Sequence, residues 1–141
     1  MNEFPIRIAR PDEYPFILST FINGWVKNNL ANVRRDRQRW SSIPQVYRSI
    51  PIDDLCDYYH NRLKPLLDYA RVLTDQDDTV ILGYVVGRGN TLFTLYTKPG
   101  FREYDLEADL LSSCRLDHGA PVITPFPNGG LDRLLKAHGY L

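Results

Sequence analysis

Several strong sequence signals are scarce in this chain of 141 residues. Its two cysteines are too few for a disulfide framework. Lysine and arginine total 17, as do aspartate and glutamate, so the net charge is zero and general nucleic-acid binding is disfavoured. No apolar run reaches the length of a membrane span, and the first residues do not resemble a signal peptide. We therefore expect a cytoplasmic protein with no membrane association.

The rest of the composition is that of an ordinary globular domain. Hydrophobic residues make up 43% of the chain and charged residues 24%, which is enough apolar material for a core. There is no internal repeat or linker-like stretch, so we predict one domain over residues 1–141. The three histidines and two cysteines are scattered, without the short paired intervals of a metal site, and no metal is expected.

The first half of the chain predicts a short strand followed by two helical regions. Residues 6–8 alternate as a strand does, and Pro11 with the acids behind it marks a helix start. An apolar face with four-residue spacing carries that helix to about Asn28: Ile17, Phe21 and Trp25. A second helical region spans residues 44–70, with Asp53 or Asp54 as a cap and Pro65 as a kink. Its core face is Leu55, Tyr59, Leu63 and Leu66 or Leu67.

The second half predicts three strands joined by tight turns. The strands are residues 71–74, 79–86 and 91–97, and the turns are residues 75–78 and 87–90. Strands joined by tight turns pair antiparallel.

Further elements follow the third of these strands. They are a helix from about Tyr104 to Leu116, a strand at Val122 and Ile123, and a last helix from Leu131 to His138. The strand–helix–strand unit over residues 91–123 predicts a parallel pair. The expected fold class is α+β, with a central mixed sheet flanked by helices.

Two short segments resemble the central motif of the GNAT superfamily of N-acyltransferases. Gly83-Tyr84-Val85-Val86 is similar to the start of one motif strand, and Leu95-Tyr96-Thr97-Lys98-Pro99-Gly100-Phe101-Arg102 is similar to the end of the next. Lys136-Ala137-His138-Gly139-Tyr140 is similar to a late segment of the family. The resemblance implies a GNAT-like fold without its final strand.

The resemblance also implies a reaction and a cofactor. Members of the family transfer an acetyl group from acetyl-CoA to an amine, so the implied ligand here is acetyl-CoA. The backbone of Leu95, Tyr96 and Thr97 would hold the pantetheine arm, and Lys98 and Arg102 would hold the diphosphate. The amine acceptor is not indicated.

The phosphate loop of this sequence departs from the family pattern R-x-x-G-x-[GA]. After Arg102, Glu103 and Tyr104, the two small positions are occupied by Asp105 and Glu107. Glycine lets the backbone approach a phosphate closely, and an acidic side chain adds repulsion. We expect the acids to cap the following helix themselves and to impair the binding of CoA.

The sequence does not assign a catalytic base. The second motif strand carries no glutamate at the matching positions, and Leu135 stands where the family often has a tyrosine. His60 or Asp57 on the second helix would face the acceptor site in the family, but a helix-surface histidine without a further role fits His60 as well. Tyr140 occupies a position where core packing is expected.

A non-catalytic alternative follows from the same departures. A missing final strand leaves a sheet edge beside residues 120–124, which Pro121 to Pro127 cover or which pairs with a protein partner or a second copy of the chain. Small internal virion proteins of some podoviruses are also GNAT-like, so this alternative is a phage virion component or a host-directed factor. The arginine cluster at residues 34–39, followed by Trp40, is either a solvated loop or a contact surface for an acidic partner or nucleic acid.

Overall fold

The fold is seen in a computed structural model, and its contacts divide the chain into two units. The structure describes residues 4–24, 52–101, 104–117, 119–126 and 129–140. One unit, here the sheet unit, comprises residues 1–10 and 66–141, and the helical unit comprises residues 11–65. Several sequence predictions fall outside the described residues: those on Trp25, the 34–39 arginine cluster, Trp40, Arg102, Glu103 and His118.

The helical unit contains two described α-helices. A short 3₁₀ turn, Pro11–Glu13, leads into α1, Tyr14–Thr20, and residues 21–24 continue as a π-helical turn. Helix α2 is Ile52–Leu63, and its end before Lys64 agrees with the expected effect of Pro65.

The predicted apolar faces of these helices are confirmed. Ile17 and Phe21 are buried at the N-terminal helix, and so is every predicted core position of the second helix: Leu55, Tyr59, Leu63 and Leu67. The rings of Phe21 and Tyr59 meet edge to face, with centroids 6.5 Å apart. Four-residue spacing therefore identified the buried side of each helix correctly.

Four antiparallel strands form the sheet, in the order β1-β2-β3-β4. They are β1, Ile6–Ile8; β2, Ala70–Thr74; β3, Ile81–Arg88; and β4, Thr91–Thr97. The strand order follows the chain order because short turns join β2 to β3 and β3 to β4. The sequence prediction placed Ala70 in a helix and the residues Gly87 and Arg88 in a turn, and both assignments are wrong.

The turn between β2 and β3 is built around two aspartates, as the sequence predicts. Asp75 accepts hydrogen bonds from the backbone and hydroxyl of Thr79, at 2.7 and 2.6 Å, so strand pairing resumes only at Ile81. Asp78 has a φ of 58° and accepts hydrogen bonds from both Arg7 and Arg10. These contacts tie the first strand to the hairpin.

Helices α3, Leu106–Ser113, and α4, Gly129–Ala137, follow the sheet in the chain. Helix α3 is shorter than the predicted span because residues in the left-handed conformation flank it, Asp105 at φ 52° and Arg115 at φ 54°. The core of the sheet unit joins both helices to the strands: Leu73, Leu82, Val85, Leu92, Leu106, Leu110, Leu111, Leu116, Val122, Leu131 and Leu135.

Two side chains with polar groups pack at the margin of this core. Tyr140 lies against it, as its predicted packing role requires. Cys114 also lies against it, and its thiol donates to the carbonyl oxygen of Leu110 at 3.5 Å. Burial raises the pKa of the Cys114 thiol, which agrees with its predicted role as a small hydrophobic residue.

Close packing against β3 depends on Gly83. A Cβ atom at this position would lie 2.7 Å from the carbonyl oxygen of Tyr96 and 3.1 Å from Cδ1 of Leu110. The first atom belongs to the backbone of β4 and the second to a buried side chain of α3, so neither can move without disturbing the packing. The glycine of the Gly83-Tyr84-Val85-Val86 segment therefore has a steric role.

The architecture confirms the α+β class at the coarse level. The four strands are wholly antiparallel, and the expected parallel pair is limited to a single bridge between Thr91 and Ile123. Among the described residues, no helix is long and apolar enough to cross a membrane. In the same ranges, no group of three or more His, Cys, Asp and Glu side chains is placed to hold a metal ion.

We expect Gly83→Ala to destabilise the protein by about 1–3 kcal/mol, because the added methyl group meets a backbone oxygen that cannot rotate away. Urea unfolding at pH 7 measures the loss. Gly24→Ala is the matched control, since no described atom lies within 4 Å of a Cβ atom there. Equal stability of the two variants would show that β3 and α3 do not need this close approach.

Acid should weaken the attachment of β1 through Asp78. Hydrogen bonds from Arg7, with the charges of Arg7 and Arg10, lower the pKa of Asp78 below its usual 3.8. A carboxyl group whose pKa is lower in the folded state stabilises the fold above pH 3.8, and this contribution disappears as the pH falls through the folded pKa.

Asp78→Asn should therefore lower the urea midpoint at pH 7 and flatten its dependence on acid. Asparagine tolerates the left-handed backbone at this position, so the substitution tests charge rather than backbone strain. Asp77→Asn removes the same charge from the same turn without breaking these bonds and serves as the control. Identical acid profiles for the two variants would refute the role of Asp78.

Candidate functional site

A β-bulge interrupts β4 at Phe93. Val86 pairs with Thr94 and Gly87 pairs with Leu92, so Phe93 is an extra residue with no partner in the register. In a regular strand, every second residue directs its N–H and C=O groups toward the neighbouring strand. One inserted residue shifts this alternation by one position, so that odd-numbered residues face β3 on one side of the bulge and even-numbered residues on the other. The two halves of β4 therefore offer different backbone groups to the outer edge of the sheet.

Before the bulge, the outer edge of β4 meets the segment around Ile123. The amide of Leu92 donates to the carbonyl of Ile123, and the amide of Ile123 donates to the carbonyl of Asn90, both at 2.8 Å. These two bonds form the parallel bridge. The parallel direction predicted for residues 122–123 is therefore observed, but only as a single bridge at Ile123, and the predicted strand does not form.

Asn90 fixes this second segment to the hairpin. Its side-chain oxygen accepts from the amide of Asp117 at 2.8 Å, and its side-chain nitrogen donates to the carbonyls of Asp117, Ala120 and Pro121 at 3.0 to 3.3 Å. One side chain thus organises the loop from residue 117 to the bridge at Ile123. Gly89, with a φ of 57°, supplies the positive backbone angle of the two-residue turn that presents Asn90.

After the bulge, the outer edge of β4 is open. The amide of Lys98 donates to the carbonyl of Leu82 at 2.7 Å, so the alternation of the ladder makes Tyr96 face β3 and makes the backbone groups of Leu95 and Thr97 point away from it. Among the described residues, none forms a hydrogen bond with the N–H group of Leu95 or of Thr97. Backbone hydrogen bonds thus join the two segments before the bulge, and the rings of Phe93 and Phe126 keep them in contact beside it, with centroids 5.8 Å apart. We call the outer backbone edge of Leu95 and Thr97, which has no described hydrogen-bond partner, the β4 wedge.

The start of α3 lies beside the end of β4. The hydroxyl of Thr97 donates to Oε1 of Glu107 at 3.3 Å. Asp105 occupies the N-cap position with a left-handed backbone, φ 52° and ψ 47°, and its side chain makes no cap hydrogen bond. The prediction that Glu103, Asp105 and Glu107 cap the helix with their side chains is therefore wrong for Asp105 and for Glu107, which contacts Thr97 instead, and Glu103 lies outside the described residues. The geometric reason is that an N-cap side chain reaches the first turn from the β region, not from the left-handed region.

The backbone at Asp105 is the one that glycine adopts most readily. Asp105 therefore combines a backbone conformation that favours glycine with a carboxylate side chain. Asp105 is exposed and Glu107 is half-buried, which leaves both charges at the helix start. The pKa of nearby Asp109 is raised, first by burial and then by the charge of Asp105.

Aromatic rings surround the turn between β4 and α3. Tyr104 is 53% exposed, and its ring lies 5.7 Å from that of Phe4 and 6.0 Å from that of Phe101. The ammonium group of Lys98 lies 6.0 Å from the Phe101 ring centroid. Among the described residues, this turn therefore presents one cation and an accessible aromatic surface next to the wedge.

The structure brings together most of the predicted cofactor-binding residues. Leu95 packs against the core, Tyr96 stacks on Tyr84 with centroids 5.1 Å apart, and Thr97 contacts Glu107. Arg102, the predicted diphosphate ligand, lies outside the described residues.

A catalytic base is not identified among the described residues. Asp57 is exposed and His60 half-buried on α2, in the helical unit. Leu135 is buried at the position where the family often has a tyrosine. The assignment of His60 or Asp57 stays a prediction.

The GNAT resemblance implies a bulged strand, but sequence reasoning did not place the bulge at Phe93 and did not find the role of Asn90. The bulge leaves no compositional signal, because Phe93 is as typical of a regular strand as its neighbours. Asn90 follows a glycine and was assigned to a turn, which explains its position but not its four long-range hydrogen bonds.

Asn90→Ala should loosen the bridge without unfolding the sheet. We expect a local loss of about 1–3 kcal/mol, seen as amide exchange at Ile123 that is roughly tenfold to a hundredfold faster. Amide hydrogen exchange followed by NMR measures it. Asn23→Ala, which removes one exposed side-chain contact, is the control. Unchanged protection of Ile123 would mean that Asn90 does not hold the segment.

Comparisons with known proteins indicate no family. No family model matches the chain, and no curated protein matches it. A search of solved structures found similarity to the apo form of YjaB from Escherichia coli, a solution structure, with 13% sequence identity and a TM-score of 0.48. The match covers 80% of this chain, and the chain spans 65% of that protein's length. A likeness at this level indicates neither fold nor function.

Proposed function

We propose that this protein is a GNAT-like N-acyltransferase that moves an acetyl group from acetyl-CoA to an amine. The observation that carries the proposal is the β4 wedge. The GNAT resemblance implies a bulged strand whose free backbone holds the pantetheine arm. The motif Leu95 to Arg102, on which that resemblance rests, lies on the half of β4 after the bulge and on the turn that follows it.

The wedge offers the groups that an extended pantetheine arm requires. Pantetheine carries two amides, and the backbone of Leu95 and Thr97 presents donors and acceptors at the two-residue repeat of a strand. Leu95 and Thr97 are both half-buried, so bonds made there are less exposed to competing water. The pantetheine arm would therefore form hydrogen bonds with the edge of β4 in the way that an added strand does.

The acids at the start of α3 oppose the nucleotide end of the cofactor. Two like charges about 5 Å apart at an effective dielectric of about 20 repel by roughly 3 kcal/mol. Water screens Asp105 more than Glu107, because Asp105 is exposed. Lys98 and the preserved left-handed backbone act in the other direction. We therefore propose that CoA binds weakly and that the pantetheine arm contributes more of the binding free energy than the diphosphate does.

The proposed reaction is acyl transfer. The amine nitrogen attacks the thioester carbonyl, a C–N bond forms and the C–S bond breaks. The amine loses a proton to a base, and the departing thiolate gains one. The wedge residues position the thioester, whereas no described residue is assigned to either proton transfer.

Calorimetry with acetyl-CoA tests the proposal through the acids. We expect weak saturable binding by the unmodified protein and about tenfold tighter binding by Asp105→Gly combined with Glu107→Gly, because the repulsion is removed. The backbone at residue 105 already suits glycine, so the fold should persist, and thermal unfolding checks this. No binding of either protein at millimolar acetyl-CoA would reject the acyltransferase proposal.

A substitution at the edge tests the wedge itself. Thr97→Pro removes an N–H group that points away from β3, so it costs no bond of the sheet ladder. We expect acetyl-CoA binding to weaken roughly threefold to tenfold, the value of one hydrogen bond. Thr97→Val keeps the N–H group, loses the contact with Glu107 and serves as the control. Equal binding by the two variants would exclude backbone recognition at Thr97.

The second candidate function is non-catalytic protein binding. The specific observation in its favour is the pair of carboxylates at Asp105 and Glu107, where a diphosphate would bind. If both the unmodified and the glycine-substituted proteins fail to bind acetyl-CoA, this candidate replaces the first.

A further inference from the structure

The sheet unit also has a groove at the edge opposite the β4 wedge, and the proposed acyltransferase does not use it. It lies between the edge strand β1 and the C-terminal part of α3 and has a volume of about 570 Å³. Its lining combines apolar, cationic and hydroxyl side chains: Ile6, Arg7, Ile8, Arg71, Asp109, Ser112, Ser113 and Arg115. Because β1 is the first strand in the order of the sheet, one edge of it has no described strand beside it.

The N–H groups of Ile6 and Ile8 form an open edge of β1 along this groove, whereas the carbonyl oxygen of Ile8 accepts from Nη1 of Arg7 at 3.2 Å and would exchange this bond for one with an incoming strand. The amide of Ala9 donates to the carbonyl of Ala70, and the amide of Thr74 donates to the carbonyl of Pro5. By the alternation of an antiparallel ladder, the backbone groups of Ile6 and Ile8 point away from β2. Among the described residues, none forms a hydrogen bond with the N–H group of Ile6 or Ile8. The two free donors are spaced as an incoming strand needs them.

Charge determines which strand would fit. Three guanidinium groups line the groove, against the one carboxylate of Asp109. Arg7 bonds Asp78, and Arg71 donates to the carbonyl oxygen of Ser113, whereas Arg115 is exposed and its guanidinium group forms no hydrogen bond with a described residue. The groove is therefore net positive and retains a cation for a ligand.

Charge also opposes pairing between two copies of this chain. Two β1 strands joined edge to edge would place one net positive groove beside another, because the single carboxylate of Asp78 that bonds Arg7 and Arg10 leaves an excess of cations in each copy. Ile8 is 66% exposed, so an apolar contact is also available at the edge. A different protein that alternates acidic and apolar residues matches both features.

We propose that this groove binds an extended acidic segment of a partner protein, which adds to β1 as a fifth strand. The backbone of Ile6 and Ile8 would pair with the segment. Arg115 and the remaining donors of Arg71 would receive its carboxylates, and Ile8 would contact its apolar side chains. The interaction is independent of the acyltransferase activity and of acetyl-CoA.

The experiment uses a blocked, fluorescein-labelled decapeptide that alternates valine and glutamate, with a lysine-for-glutamate version as the comparison. Fluorescence anisotropy measures binding at low and moderate salt, and NMR locates it on the full chain. We expect saturation below about 1 mM for the glutamate peptide, weaker binding in salt, and shifts at the amides of Ile6 and Ile8. The lysine peptide should not bind.

Two variants separate the backbone and charge contributions. Ile8→Pro removes an N–H group that points away from β2, and Ile8→Val keeps it as the control. We expect Ile8→Pro and Arg115→Glu each to weaken binding about tenfold, and Ile8→Val to change it little. Thermal unfolding confirms that each variant folds.

Three results would overturn the inference. They are no saturation by the glutamate peptide, equal binding of the lysine peptide, and shifts confined to Leu95 and Thr97 at the opposite edge. Concentration-dependent shifts at Ile6 and Ile8 without peptide would show that a second copy of the chain occupies the groove instead. Added acetyl-CoA should leave peptide affinity unchanged, so failure here and failure of the proposed function are distinguishable.

Discussion

The one-residue bulge at Phe93 is the constraint on which the candidate site depends. The inserted residue makes different residues of β4 face outward on its two sides. Before it, the amide of Leu92 bonds Ile123; after it, the N–H groups of Leu95 and Thr97 have no described partner. Asn90 holds the loop that leads to Ile123 in place. The edge at Leu95 and Thr97 is the feature on which the proposed function rests.

At the junction between β4 and α3, a backbone conformation typical of glycine occurs at a residue with a charged side chain. Asp105 has the left-handed backbone of a glycine, yet it carries a charge at the positive end of a helix. Glu107, which sequence reasoning assigned to the same capping role, instead accepts from Thr97 and links the helix to the strand. A left-handed turn at the start of α3 thus carries two acidic side chains.

Much of the fold was predictable because its signals are local. Strand β4 was predicted with its observed bounds, and the apolar spacing on α2 identified its buried face. Boundaries were wrong where long-range packing decides them, as at Ala70, which starts a strand although the helical pattern reaches it. The site was predicted as a set of neighbours from the motif, whereas the bulge at Phe93 and the role of Asn90 depend on contacts distant in sequence.

The two outer strands of the sheet, β1 and β4, would recognise a ligand in different ways. At β1, side chains of one sign select the partner, so substitution of Arg115 alters the selection. At β4, the groups proposed to bind the pantetheine arm are peptide groups, and every amino acid except proline supplies them equally. Drift at Leu95 or Thr97 therefore leaves the outward-facing atoms in place. A binding surface made of backbone groups can be retained while its side chains change, so comparisons that score side-chain identity detect it poorly.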